Sequence, residues 1–119
     1  MTKEDEVKAM EDQIEQYKQK IHEIDKKNDE TEAEIIKLKQ DVEEIKSLEG
    51  LSKTVRQKII GDYYEMISVL YSIITTRCKQ IMEINTCILY LKGNLAITRG
   101  ENPVAVLHKI LLVKKWADN

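Results

Sequence analysis

Residues 7–45 hold an unbroken heptad repeat. With Val7 at an a position, the a series is Val7, Ile14, Ile21, Asn28, Ile35 and Val42. The d series is Met10, Tyr17, Ile24, Thr31, Leu38 and Ile45. Almost everything between them is charged or polar. A period of 3.5 residues keeps one narrow seam turned toward a neighbouring helix, so the stripe needs a partner helix to be buried. This pattern predicts a coiled coil and makes the first third of the chain an association device.

The seam residues also predict a pairing mode. Five of the six a positions are β-branched, which favours two parallel strands. Asn28 is a polar a residue, able to pair across a seam and fix register and strand number. In a parallel homodimer, Lys20 would face Asp25, Lys27 Glu32, Glu34 Lys39 and Asp41 Lys46, all attractive. Only Glu6 facing Glu11 is repulsive, at a fraying end. Each exposed pair is worth only a few tenths of a kcal/mol, but together they bias partner choice. The expectation is self-pairing through the twelve seam residues, with a coiled-coil heterodimer as the alternative.

Residues 1–50 hold nine Lys and sixteen Asp or Glu, a net −7; residues 51–119 hold ten Lys or Arg and five Asp or Glu, a net +5. An acidic stalk therefore precedes a mildly basic half. The predicted organisation is a coiled-coil stalk over 1–50 and a helical C-terminal domain over 51–119, the whole all-α. About 70 residues are near the lower limit for a core that folds alone, so oligomerisation is expected to contribute. A net +5 over such a segment is an ordinary solvated surface, weaker than a dedicated DNA-binding domain shows.

Gly50 predicts a helix stop, and Ser52 an N-cap for the next helix; the alternative is a continuous helix with one weak spot, since a single Gly costs only about 1 kcal/mol relative to Ala. From Lys53 to about Thr98 apolar residues recur at steps of three and four: Val55, Ile59, Tyr63, Met66, Ile67, Leu70, Ile74, Cys78, Ile81, Ile84, Ile88, Leu91 and Leu95. Ile60, Tyr64, Val69, Ile73, Met82, Leu89 and Tyr90 widen this stripe beyond a coiled-coil seam, so one long helix, or two in line, is expected to pack on more than one side. Gly61 and Gly93 are candidate kinks or points of close approach. Gly100 fits the end of this helix, Asn102 an N-cap and Pro103 the first position of a last helix through Trp116. Leu107 and Ile110 are expected to pack that helix back onto the long one.

No pattern of nucleophile, general base, metal ligands or phosphate loop is present, and the chain reads as a non-enzyme that needs no cofactor. His22 falls at a b position, and His108 on the polar side of the last helix. Tyr63, Tyr64 and Tyr71 read as core residues. Cys78 and Cys87, nine residues apart on one helix, point to opposite faces and cannot bridge each other. They are expected to be buried reduced thiols of an intracellular protein, since no signal peptide is apparent. The most apolar run, Met66–Ile74, is too short to span a bilayer.

Gly93-Asn94-Leu95-Ala96-Ile97-Thr98-Arg99-Gly100 resembles the "G-K-L-A-x-x-R-G" segment of the Swi-five/Sae-three family. Ile84 and Leu91 stand at that family's Ile and Leu positions before the segment. Asn102-Pro103 stands at its polar helix start, and Val106, Leu107, Ile110 and Leu112 at the apolar positions that follow. The resemblance covers about thirty residues. It implies a small nuclear subunit that joins a larger coiled-coil subunit in a recombination mediator. Such mediators stabilise RecA-like recombinase filaments on single-stranded DNA. Under this reading Arg99, Lys114 and Lys115 are the expected partner-binding residues, with at most a weak contact to single-stranded DNA. The competing expectation is a homodimeric coiled-coil adaptor in a kinetochore, cytoskeletal or trafficking assembly.

Overall fold

The computed structural model describes residues 2–118. The fold is all-α: α1 spans Lys3–Ser47, α2 Lys53–Thr98 and α3 Pro103–Asp118, with no strand among the described residues. The residues form two compact units: Ile24–Lys79, and Met1–Glu23 with Gln80–Asn119. Both units draw residues from either side of Gly50, so a turn stands where the sequence suggested a boundary between stalk and domain.

Local chemistry explains the helix ends. Thr2 and Asp5 form a reciprocal capping box: the Asp5 N–H donates to Thr2 Oγ1 at 3.2 Å and the Thr2 N–H to Asp5 Oδ2 at 3.1 Å. The Thr2 backbone donor holds the Asp5 carboxyl below its ordinary pKa. Ser52 Oγ accepts the Val55 N–H at 3.2 Å, as an N-cap does. Asn102 Oδ1 accepts the N–H groups of Val104 and Ala105 at 2.9 and 3.2 Å. Gly50 and Gly100 adopt φ of 87° and 103°, the left-handed region that ends a helix without Cβ strain. At Gly100 the bonds Gly100 N–H to Ile97 C=O and Glu101 N–H to Ala96 C=O, each 3.0 Å, complete a Schellman motif.

All twelve seam residues of α1 are buried or half-buried within the single chain. The covering strand is α2, which runs antiparallel to α1 within each unit. In the 24–79 unit, Arg77 Nη1 donates to Thr31 Oγ1 at 2.7 Å, Lys27 C=O at 3.2 Å and Asn28 Oδ1 at 3.5 Å. Asn28 Nδ2 lies 3.8 Å from Cys78 Sγ. In the other unit, Ile14, Ile88 and Leu95 form a buried cluster, with Val7, Met10, Tyr17, Ile21, Ile84 and Leu91 packed against it.

The covering face of α2 is itself a heptad seam, unrecognised in the broad apolar stripe. Ile60, Ile67, Ile74, Ile81, Ile88 and Leu95 form one series; Tyr63, Leu70, Arg77, Ile84, Leu91 and Thr98 form the other; all are buried or half-buried. Within the 24–79 unit, the Asn28–Arg77 contact sets a register in which the α1 a residues face α2 residues of the second series. Ile35 then stands opposite Leu70, and Val42 opposite Tyr63. Asn28 and Thr31 of one seam fall at the layer of Arg77 in the other, so the guanidinium donors meet seam acceptors there.

Several expectations are corrected by this arrangement. The coiled coil has two strands, but the second strand of this seam is antiparallel and belongs to the same chain. A tight turn holds α2 beside α1 at a high effective concentration, which outweighs flanking ion pairs worth tenths of a kcal/mol each. A parallel homodimer through the same residues requires α2 to leave. Lys39, expected to face Glu34 of another chain, donates to Tyr71 Oη at 2.8 Å and lies 5.4 Å from the ring centroid. Cys78 and Cys87 are exposed, because they flank the α2 seam instead of lying in it. Tyr63 is half-buried in that seam, whereas Tyr64, Tyr71 and Met66 are exposed. Gly61 has open space around it.

Two measurements check this pairing. In a Cys87→Ser background, Asn28→Cys treated with a short bismaleimide, which alkylates one thiol at each end, is expected to join Cys78 of its own chain. The product should run as a monomer with altered mobility on a denaturing gel; a covalent dimer through position 28 would be the parallel arrangement. Separately, Asn28→Ile alone should destabilise the chain, because it removes a partner from a half-buried guanidinium. Asn28→Ile with Arg77→Leu should raise stability by about 1–3 kcal/mol in urea melts, since apolar replacement of a buried polar cluster is commonly favourable.

Candidate partner-binding surface

The unit of Met1–Glu23 with Gln80–Asn119 contains all of α3. There, α2 uses two faces. Ile84, Ile88, Leu91 and Leu95 belong to the α1 side. Leu89, Gly93 and Ala96 border a hollow with Val106, Ile110 and Val113 of α3. Gly93 is where the helices come closest: a Cβ there would collide with Ile110 Cδ1 and meet Val106 Cγ1 at 3.4 Å. A missing side chain therefore seats α3, which is the physical role of the first glycine of the Gly93–Gly100 segment.

Among the described side chains of α3, residues 103–116, only Val106 and Ile110 are buried. Leu107, expected to pack inward, is 54% exposed. At 100° per residue, Val106 and Ile110 share one face, and Leu107 lies well to the side of it. Val104, Leu107 and Leu111 form one outward row, and Leu112 and Trp116 another, with Trp116 78% exposed. A helix with apolar residues on every side is ordinarily covered on more than one side, yet within this chain α3 is held on one.

The three basic residues singled out in the sequence do not converge. Arg99 Nη2 donates to Glu11 Oε1 at 2.8 Å, an ion pair with each side chain about half exposed, 54% and 50%. Lys114 Nζ donates to Tyr90 Oη at 3.3 Å. Lys114 and Lys115 lie near the end of α3, roughly 16 Å of helix away from the turn beside Arg99. Arg99 thus holds the end of α2 to α1, while the lysines belong to the other end of the α2–α3 contact. Lys115 is exposed.

Two basic residues have roles that the sequence did not disclose. The Arg56 guanidinium donates to the carbonyls of Ile45 (3.0 Å), Lys46, Leu48 and Leu51, closing the α1–α2 turn. Ile45 and Lys46 lie in the last turn of α1, where carbonyls need donors, so Arg56 is committed to the fold. Lys92 borders an open groove of about 440 Å³ between α2 and α3, with Lys114, Met82, Asn85, Thr86, Ile88, Leu89 and Val113. Its spacing from Leu89 and Val113 became meaningful only once α3 folded back.

Among the described residues no group of three or more His, Cys, Asp or Glu is placed to hold a metal ion. Among them, no helix is long and apolar enough to cross a membrane. No protein-family model matches the chain, and neither does a curated protein or a solved structure.

Substitutions on α3 separate its two faces. Ile110→Ala should cost about 2–4 kcal/mol of docking, as loss of a buried aliphatic side chain does, and hydrogen exchange across 104–113 should accelerate while the α1–α2 pairing stays protected. Leu107→Ala should change stability by no more than about 0.5 kcal/mol. Gly93→Leu should mimic Ile110→Ala in the same exchange experiment, because its side chain needs the space that Ile110 fills.

Proposed function

We propose that this chain is a non-enzymatic helical subunit of a protein assembly, and that its end formed by α2 and α3 docks a protein partner. One observation supports the reading most. α3 spends two apolar residues on the fold, Val106 and Ile110, and leaves Val104, Leu107, Leu111, Leu112 and Trp116 exposed. Exposed aliphatic and aromatic side chains clustered on one short helix are the usual composition of a binding patch.

The sequence resemblance supplies the kind of assembly. Gly93–Gly100 resembles the most recognisable stretch of the Swi-five/Sae-three family, and in this chain that stretch ends α2 and seats α3. The reading is therefore a nuclear subunit of a recombinase mediator, acting with a second coiled-coil subunit on RecA-like filaments. Any contact with single-stranded DNA is secondary. Seam-mediated homodimerisation or heterodimerisation would require the α1–α2 pairing to open, so the partner is expected at α3 first.

The test is co-sedimentation with recombinase filaments assembled on single-stranded DNA, with and without a second mediator subunit. Wild type should sediment with the filaments. Leu107→Asp with Leu111→Asp should reduce binding at least tenfold, about 1.4 kcal/mol or more, with helicity and the urea midpoint little changed. Wild type that never binds such filaments, alone or with a second subunit, would remove the mediator reading. The coiled-coil adaptor would then stand, and its partner would be sought through the same α3 face.

A further inference from the structure

We infer that the groove between α2 and α3 is a site for an acidic amphipathic helix of a protein partner, gripped by Lys92 and Lys114. The inference rests on the reading of this chain as an interaction subunit and names a second face and the partner's chemistry. Met82, Leu89 and Val113 supply apolar lining, with Asn85 and Thr86 beside them. Of the eight lining residues, only Lys92 and Lys114 are charged.

The lining is arranged as a helix would require. Met82, Thr86 and Leu89 recur along α2 at steps of four and three, and Val113 and Lys114 border them from α3. Two helices side by side offer a trough whose natural occupant is a third helix, anchored by apolar residues at i, i+3 or i+4, and i+7. Met82 is 60% exposed, so this apolar surface is uncovered in the chain alone. The Tyr90 hydroxyl accepts from Lys114 at 3.3 Å, which helps hold one ammonium at the groove.

Charge selects among occupants. Two ammonium groups beside an apolar trough favour carboxylates flanking the apolar anchors of the incoming helix, and repel a basic helix of equal hydrophobicity. The outer face of this chain's own α1 does not qualify: it is acidic but lacks an exposed apolar row, Ile36 being its one large exposed aliphatic. The occupant is accordingly a partner helix with apolar anchors and Glu or Asp on both flanks.

The experiment uses the full chain and two synthetic 18-residue helical peptides with the same leucine row, one flanked by Glu and the other by Lys. Fluorescence anisotropy of labelled peptide reads binding, and Trp116, the only tryptophan, reports from α3. The Glu peptide is expected to bind at least tenfold tighter than the Lys peptide at low salt, with the difference shrinking as salt rises. Lys92→Glu with Lys114→Glu should reverse the preference, which a merely unfolded variant would not do. Met82→Glu should weaken the Glu peptide, while Leu107→Asp with Leu111→Asp should leave it bound.

Equal binding of the two peptides, no binding of either, or preference unchanged by the charge reversal would overturn the groove assignment. Loss of peptide binding through Leu107→Asp with Leu111→Asp alone would move the site to the outer α3 row, overturning the groove while keeping the interaction-subunit reading. Binding to phosphatidylserine vesicles with neither peptide bound would assign the basic groove to a lipid surface and also overturn the proposal. Filament co-sedimentation is a separate readout, so failure there does not imitate failure here.

Discussion

The narrow apolar stripe of α1 governs the rest of this structure. A heptad seam has no stable exposed form, because its aliphatic residues are aligned along one edge with charged residues on either side. It must find a second seam of the same period. Here α2 provides one, from Ile60 to Thr98, and the turn at Gly50 brings it back beside α1. Arg56 then supplies donors to the carbonyls that the end of α1 leaves free. Pairing and turn depend on each other: the seam makes the turn worth forming, and the turn makes α2 the nearest strand.

The polar layer shows how register and composition are linked. Asn28 alone is an expensive residue to bury, and Arg77 alone would be more so. Facing each other, with Thr31 and the Lys27 carbonyl completing the set, they satisfy most of each other's needs. A shift by one heptad would place each polar residue against an aliphatic one. The layer therefore trades some stability for a defined alignment of two long helices, the use of a buried polar residue best attested in coiled coils.

α3 is built on a different logic. It attaches through a notch, since Gly93 lets Val106 and Ile110 approach the α2 backbone. The Schellman motif at Gly100 and the Asn102 cap set the direction in which α3 returns. Two buried anchors are enough to place the helix and too few to use its apolar residues. The surplus stays uncovered at this end: an outward leucine and valine row on one side, and a groove bordered by Lys92 and Lys114 on the other.

The all-helical class, the break at Gly100–Pro103, the caps at Ser52 and Asn102 and the twelve seam positions were legible in the sequence; whether 53–98 is one helix or two was not. Each depends on a local pattern: a 3.5-residue period, a glycine after a helix, a polar side chain before one. Orientation was not legible, because β-branched a residues and weak flanking charges favour a parallel pair only when no equal seam lies closer in the chain. The α2 seam was hidden by additional apolar residues, and by Arg77 at a position where an aliphatic would have marked it. Leu107 and Ile110 likewise look alike in a list of apolar residues. Only the direction of approach, decided by the space at Gly93, makes one an anchor and leaves the other exposed. Sequence alone determined that the α1 stripe had to be buried. Tertiary structure decided against what, because burial is a matter of which surfaces meet, and those surfaces lie far apart in the chain.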